Sequence, residues 1–423
     1  MNEKLLHYIW RYQLFDRRGL KTTSCDAVEI ISPGIYNMDA GADFQDARLK
    51  IGGTLWAGNV EIHITTEDWN THKHKSDKAY NNVVLHVVYE DKGKGAKRES
   101  GTDVPTLQLK ERIKPETLQR YAILEKSKLW VPCEGFIVGV QGLTFRNFLD
   151  RLLAERLQNK VTQVNEMLAQ SGNDWENVAF GMVAAYLGAP LNKEPFLQLA
   201  RSLPVKIWAK HQSDNLQIEA LLFGQAGFLD EKCDDEYPNQ LRREYNYLSR
   251  LHQLQPMEKH RWKFLRLRPS NFPTIRLAQL AALLCSEVKL FSRIIDAKNA
   301  KDIQAVFDIT VSDYWKKHYR FDKPSARVST KIGKATKDLL LINAVAPVLF
   351  AYGKYRDDET YCNKALQLLE SCTAESNSII TGWNRVGVKV KNAADSQSLL
   401  QLKNEYCNKF RCLECAVGHK ILK

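Results

Sequence analysis

Two adjacent glycines, Gly52-Gly53, stand between Ala47–Ile51, which alternates in the β manner, and the apolar-rich run Thr54–Ile64. A Gly-Gly pair supplies positive φ at both central positions of a tight turn, so the pattern predicts a β-hairpin. The hairpin in turn constrains where side chains can meet. Neighbouring strands lie about 4.8 Å apart, and residues two apart on one strand share a face. Glu61 and His63 therefore project together, while Ile62 and Ile64 point to the core. Asp43 precedes the first strand and can sit beside the Glu61 face. Gly58-Asn59 inside the return strand predicts a bulge or a close backbone approach.

The hairpin lies in a segment, residues 37–89, that holds four of the ten histidines and five aspartates. His72 and His74 share a face in an extended chain, and His86 lies on the next expected strand, Val83–Tyr89. Paired carboxylates suit a hard ion such as Mg²⁺ or Mn²⁺ and leave positions for a phosphate oxygen and an activated water. Imidazole with carboxylate suits Zn²⁺, Mn²⁺ or Fe²⁺. The same HKHKSDK stretch is also the text of an exposed polar loop. Asp39, in DAGAD, is expected to shape its loop through Asx bonds. Trp56 and Trp69 flank the region; such aromatics stack nucleic-acid bases or fill a core or lid.

Around this segment, residues 3–15 carry an apolar helical face (Leu5, Leu6, Ile9, Trp10, Leu14). Val28–Ile31 reads as a strand closed by Pro33-Gly34, residues 65–80 as a loop with a short helix near its end, 91–101 as a charged turn and Pro105–Leu109 as a strand. This is a small mixed-sheet α/β domain over residues 1–140. Helical periodicity then dominates residues 141–395, as in FRNFLDRLLAERLQNKVTQVNEMLAQ and TIRLAQLAALLCSEVKLFSRII, with Pro347 expected to kink or end a buried helix. Residues 396–423 form a cysteine-containing tail. A length of 423 residues calls for more than one core, and 44% hydrophobic with 26% charged residues excludes wholesale disorder. No apolar run approaches the roughly 20 residues of a membrane span. The N-terminus reads as a charged amphipathic helix rather than a signal peptide, so the expectation is a soluble cytoplasmic protein.

The net charge of +12 permits binding to phosphate backbones. Arg266, Arg268 and Arg276, in HRWKFLRLRPSNFPTIR, could grip phosphate, or could cap helices and pair with the acids of residues 230–236. Nine cysteines without a secretory signal point to metal ligands before disulfides. Cys407-x4-Cys412-x2-Cys415-x3-His419 presents two thiolates from one turn, as Zn²⁺ or an iron–sulfur cluster requires, with Cys407 as a third ligand. His419 or the distant Cys133 is the candidate fourth. The alternative is a set of reduced, buried thiols with no ligand.

An acidic residue before a hairpin, followed by E-x-H on the return strand, resembles the D…E-x-K signature of the PD-(D/E)xK nuclease superfamily. The resemblance implies an αβββαβ core, Asp43 and Glu61 as Mg²⁺ or Mn²⁺ ligands, and His63 in the place of the water-positioning lysine. Ala42 stands where that family has proline. His72, His74 and His86 are then auxiliary ligands. The cysteine tail loosely resembles the iron–sulfur clasp of some of those nucleases. Over nearly its whole length the chain is similar to the bacterial domain of unknown function 2851 family, through LHYIWRYQLFD, GNVEIH, LHVVYE, RPSNFPTIRLAQLA and RCLECAVGH; that likeness implies a bacterial cytoplasmic protein. The expected function is a metal-dependent phosphodiesterase on nucleic acid. The alternatives are a non-catalytic nucleic-acid-binding protein with a degenerate site and a zinc metallohydrolase of a small substrate.

Overall fold

Asn2 opens the first helix, α1 (Glu3–Arg11), with its side-chain oxygen accepting the Leu5 N–H at 2.9 Å. The buried face carries Leu5, Leu6, Ile9 and Trp10. The helix stops four residues short of the expected end. Gln13 takes a left-handed φ of 52°, and the N–H groups of Gln13 and Leu14 return to the carbonyls of Trp10 and Ile9. That is a Schellman closure. The computed structural model describes residues 1–93, 95–286 and 289–423. Lys94 of the expected 91–101 turn, and Glu287 and Val288 of the expected helix from Thr274, lie outside the described residues.

Six strands follow: β1 (Val28–Ser32), β2 (Ile35–Tyr36), β3 (Phe44–Ile51), β4 (Thr54–Thr65), β5 (Val83–Glu90) and β6 (Thr106–Gln108). They form one mixed sheet in the order β1-β3-β4-β5-β6, with β2 also paired to β3. Gly52 and Gly53 have φ of 56° and 86°, so the β3–β4 hairpin closes on the turn its sequence predicts. A bulge at Asp46 (φ 55°) shifts the β3–β4 register between Phe44 and Ala47, just after Asp43.

β5 runs parallel to β4, and β6 parallel to β5. Parallel neighbours cannot be joined by a tight turn, so the chain must cross over one face of the sheet between them. That crossover contains α2 (Asp68–Thr71) and two single 3₁₀ turns, His74–Ser76 and Lys78–Tyr80. It therefore has three short helical pieces where one near its end was expected. A small core anchors it: Trp69 is fully buried among Ala42, Val83, Ala96 and Val104, with Tyr80 against them. The Trp69 indole N–H donates to the Lys97 carbonyl at 2.9 Å.

The sheet, α1 and α3 (Pro115–Glu125) belong to one compact unit, Met1–Phe145 with Lys403–Lys423. Its last helix, Ala416–Leu422, is held under α3. The Thr117 hydroxyl donates to the Leu422 carbonyl at 3.2 Å, and the Arg120 guanidinium to the Ile421 carbonyl at 2.9 Å. The tail set apart at residue 396 thus divides, its last 21 residues joining the sheet unit.

The second unit, Arg146–Leu402, is mostly helical. Its core helices include Trp175–Leu187, Asn215–Gln225 and Pro273–Ser286. One helical run, Lys334–Arg356, is long and apolar enough to cross a membrane by length and composition, contrary to expectation, but 67% of its apolar window is buried inside the protein. Pro347 does not end it. A π-turn at Leu341–Val345 precedes the proline and accommodates its missing N–H. Glu219 is buried here as well, accepting hydrogen bonds from the Trp315 indole (2.7 Å) and the Tyr237 hydroxyl (2.9 Å).

Gly58 shows why β4 and β5 can pair so closely. A Cβ at this position would lie 2.5 Å from Val84 Cγ1 and 2.6 Å from the Asn82 carbonyl oxygen. Gly58→Ala is expected to destabilise the sheet unit by about 1–3 kcal/mol through overpacking. A urea titration of the full chain followed by near-UV circular dichroism measures this, and an unchanged midpoint would show that the strands part without strain.

Candidate metal centre

The β4–β5 register pairs Glu61 with His86, so Glu61, His63 and His86 project from one face. The crossover lies over that face and delivers two more imidazoles. His72 closes α2 and His74 opens the next turn; between them Lys73 is left-handed at φ 62°. Chain reversal at Lys73, not an extended strand, is what turns both rings inward. His74 is fixed by stacking on Tyr80, with ring centroids 3.7 Å apart, and by an edge contact with Trp69. Asp77 caps the Lys78–Tyr80 turn through the Ala79 N–H. Asn37, rather than Asp39, knits the preceding loop, donating to the carbonyls of Asp39, Ala40 and Ala42.

Four potential ligand atoms converge. His63 Nε2 lies 3.1 Å from His72 Nδ1, 3.3 Å from His74 Nε2 and 3.6 Å from Glu61 Oε1, while His74 Nε2 is 3.2 Å from Glu61 Oε1. A tetrahedral ion with ligand bonds of 2.0–2.1 Å separates its ligands by about 3.3 Å. The edges of this cage bracket that value. The ligand atoms of His63, His72 and His74 all lie within 4.8 Å of each other, and Glu61 joins the group through His63 and His74. Glu61, His63 and His74 are buried and His72 is exposed, so the cage meets solvent at His72.

Asp43 and Glu61 are locked across the hairpin. The Asp43 N–H donates to Glu61 Oε2 at 3.1 Å, and the Ile62 N–H donates to Asp43 Oδ2 at 2.9 Å. Burial, reinforced by the Asp43 charge, raises the Glu61 carboxyl above its ordinary range, an effect partly offset by His74. His7, on α1, places Nε2 3.3 Å from Asp43 Oδ2. Burial works against its protonation, but Asp43 and the other acids prevail and raise its pKa. His7 was missed by sequence reasoning because its neighbours on α1 are core residues and it lies 36 positions before Asp43.

The expected site residues thus take different places. His63 has Nε2 in the cage and Nδ1 2.9 Å from His86 Nε2, so neither ring nitrogen is left to position a water. His86 sits behind His63 rather than in the cage, where it orients that ring as the outer partners of metal-bound histidines do. Trp69 is a core wall, whereas Trp56 is 41% exposed. Arg266 and Arg268 are exposed, but Arg276 is not available to phosphate: it is buried and its guanidinium donates to Asn271 Oδ1 and Gln279 Oε1, each at 2.8 Å. Arg276 is corrected to a structural residue.

The cysteines gather elsewhere in the sheet unit. Cys133, Cys407, Cys412 and Cys415 line one small cavity. Burial, then the neighbouring thiols, push Cys133 and Cys412 up to about 12 and Cys407 higher still. His419 is not on that cavity lining; its Nδ1 is 2.6 Å from the Tyr8 hydroxyl and its ring packs on Tyr12.

Burial, followed by the charge of other imidazoles, holds His63 and His86 well below the ordinary histidine range. Neutral rings are what a metal ligand and its hydrogen-bond partner require. For groups with a depressed folded-state pKa, stability is complete above about pH 6.5 and is lost as acid protonates the unfolded chain first, by up to about 1.4 kcal/mol per pH unit for each group. Chelator-treated protein should therefore show a urea midpoint that falls between about pH 7 and pH 5, and His86→Gln should flatten that slope. A midpoint independent of pH in that window would contradict the depressed imidazoles.

One protein family, described as a protein of unknown function (DUF2851), matches residues 3–378. The RCLECAVGH stretch lies beyond the matched residues. No curated protein and no solved structure matches the chain.

Proposed function

The chain belongs to the DUF2851 family of proteins of unknown function, and we propose that it is a metal-dependent phosphodiesterase acting on nucleic acid, with its centre at the crossover face of the sheet. The observation that carries this reading is the cluster of Glu61 Oε1, His63 Nε2, His72 Nδ1 and His74 Nε2, in which His63 lies 3.1–3.6 Å from each of the other three and His74 lies 3.2 Å from Glu61. Three imidazoles and one carboxylate fit Zn²⁺, Mn²⁺ or Fe²⁺ better than Mg²⁺. A divalent ion bound there supplies Lewis acidity toward a phosphoryl oxygen and a more acidic water.

The remaining residues have separate tasks. Asp43, adjacent to Glu61 and only partly buried, accepts a proton from the attacking water. His7, 3.3 Å from Asp43, holds that carboxylate in place and receives or returns the proton. His86 keeps the His63 ring in one tautomer. With the two-residue β2 set aside, the element order α1-β1-β3-β4-crossover-β5 resembles the αβββαβ nuclease core, with His63 in the lysine position serving as a ligand instead. The net charge of +12 and the exposed Arg266 and Arg268 favour a polyanionic substrate.

Cleavage of bis(p-nitrophenyl) phosphate and of single- and double-stranded DNA and RNA should require added Mn²⁺ or Zn²⁺. Asp43→Asn should lower turnover by about 10²-fold or more with little effect on metal content. Glu61→Gln and His74→Ala should lose both metal and activity; Glu61→Gln should keep the urea midpoint of the metal-free chain within error, whereas His74→Ala, which empties a buried stacking position, should lower it. Equal turnover by all three variants would overturn the proposal. A second reading, a zinc hydrolase of a small substrate, draws on the same three-imidazole set, which catalytic zinc sites use. It predicts stoichiometric zinc and no salt-dependent binding of DNA or RNA.

A further inference from the structure

Of the five cysteines in the sheet unit, Cys25 is exposed and the other four line one small cavity. They come from three separate places in the chain. Cys133 stands in the tight turn after α3, its carbonyl accepting from the Phe136 and Ile137 N–H groups at 2.8 and 3.0 Å. Cys407 closes the segment that enters the tail. Cys412 and Cys415 bracket a single 3₁₀ turn, and the Cys415 N–H returns to the Cys412 carbonyl at 3.3 Å. Cys133 is separated from the nearest of the other three by more than 270 residues, so chain proximity does not explain the meeting.

The cavity they enclose has a volume of about 20 Å³, room for one water-sized or ion-sized occupant. A buried water needs two to four good polar partners, and thiols are weak donors and weak acceptors. A soft cation is matched to four sulfurs. The walls are set by close packing, since a Cβ on Gly418 would lie 2.0 Å from the Cys412 carbonyl oxygen. Only glycine lets the last helix approach the Cys412 turn this closely. Among the described residues no cysteine is in a disulfide, so the convergence is not a cross-link in this structure.

We propose that Cys133, Cys407, Cys412 and Cys415 are the four ligands of one thiolate centre that closes on a single soft ion such as zinc and fastens the C-terminal segment to the turn after α3. The seven-residue helix Ala416–Leu422 is too short to stand alone in water, so it depends on tertiary contacts, to which such a centre would add a covalent anchor beside its packing under α3. This centre is independent of the histidine cage: it shares no residue with it and lies on different elements.

The test is elemental analysis of the full chain purified without added metal, with acid-labile sulfide and visible absorption measured in parallel. Zinc at about one equivalent that persists in His63→Ala/His74→Ala supports the proposal, whereas iron with acid-labile sulfide and visible absorption would replace the single ion by a cluster and overturn it. Cys412→Ser/Cys415→Ser and Cys133→Ser should each lose that metal, whereas His63→Ala/His74→Ala should retain it. Where a cysteine variant fails to fold, the native protein is titrated with a mercurial in the presence of a chromogenic chelator. Release of the metal in step with reaction of four thiols supports the centre. Four buried thiols that react with no metal released, or metal content unchanged in the cysteine variants, would overturn it.

Discussion

The parallel pairing of β4 with β5 is the constraint on which the histidine site depends. An antiparallel return after β4 would have allowed a short turn and left residues 66–82 without a reason to cross the sheet. Parallel pairing forces the chain back along its own length over one face. The Glu61↔His86 register puts the polar side chains of both strands on that face. Gly58 permits the close strand approach at the start of the pair, and Trp69 pins the crossover down. The ligand cage is thus a product of strand direction, with His72 and His74 carried in by the connection rather than by the sheet.

Burying several imidazoles and two carboxylates together carries an electrostatic cost that the cluster's own hydrogen bonds only partly offset. Desolvation disfavours protonated rings, and each ring disfavours charge on the next. Glu61, in the same pocket, is pushed toward its neutral form. The arrangement is therefore a set of lone pairs without a matching number of positive charges. A divalent cation reverses the sign of each of these effects, because neutral imidazoles and an ionised carboxylate are the forms it binds. In the proposed reading, a lysine at position 63 would place a fixed cation beside His72 and His74 and compete with the ion.

What could be read from the sequence was whatever lies close along the chain. Gly52-Gly53 fixed the hairpin turn by backbone chemistry alone, and period-two spacing correctly placed Glu61 and His63 on one face. Gly58 signalled a close approach because few other residues fit one. The crossover was harder. His72 and His74 meet His63 through a left-handed Lys73, and lysine carries no signal for positive φ as glycine or asparagine would. His7 and Cys133 join their sites only through tertiary packing. Arg276 illustrates the opposite error: a basic residue in a basic stretch looks exposed until the helix Pro273–Ser286, buried along most of its length, takes it inside.

The two clusters of the sheet unit differ in softness and in access, and under the proposed readings the difference gives them separate roles. The cysteine set lines a small cavity with Gly418, Arg411 and apolar neighbours, and three of the four cysteines are buried. Closed four-sulfur sites hold structure because no position is left for a reactant. The histidine set has an exposed member, His72, and a partly exposed carboxylate beside it, Asp43. An ion held there can keep a coordination position facing solvent, as chemistry demands and as a purely structural site does not. Sulfur ligands and mixed nitrogen–oxygen ligands also select metals differently, so one unit can load a soft ion at its terminus without denying a harder one to the crossover face.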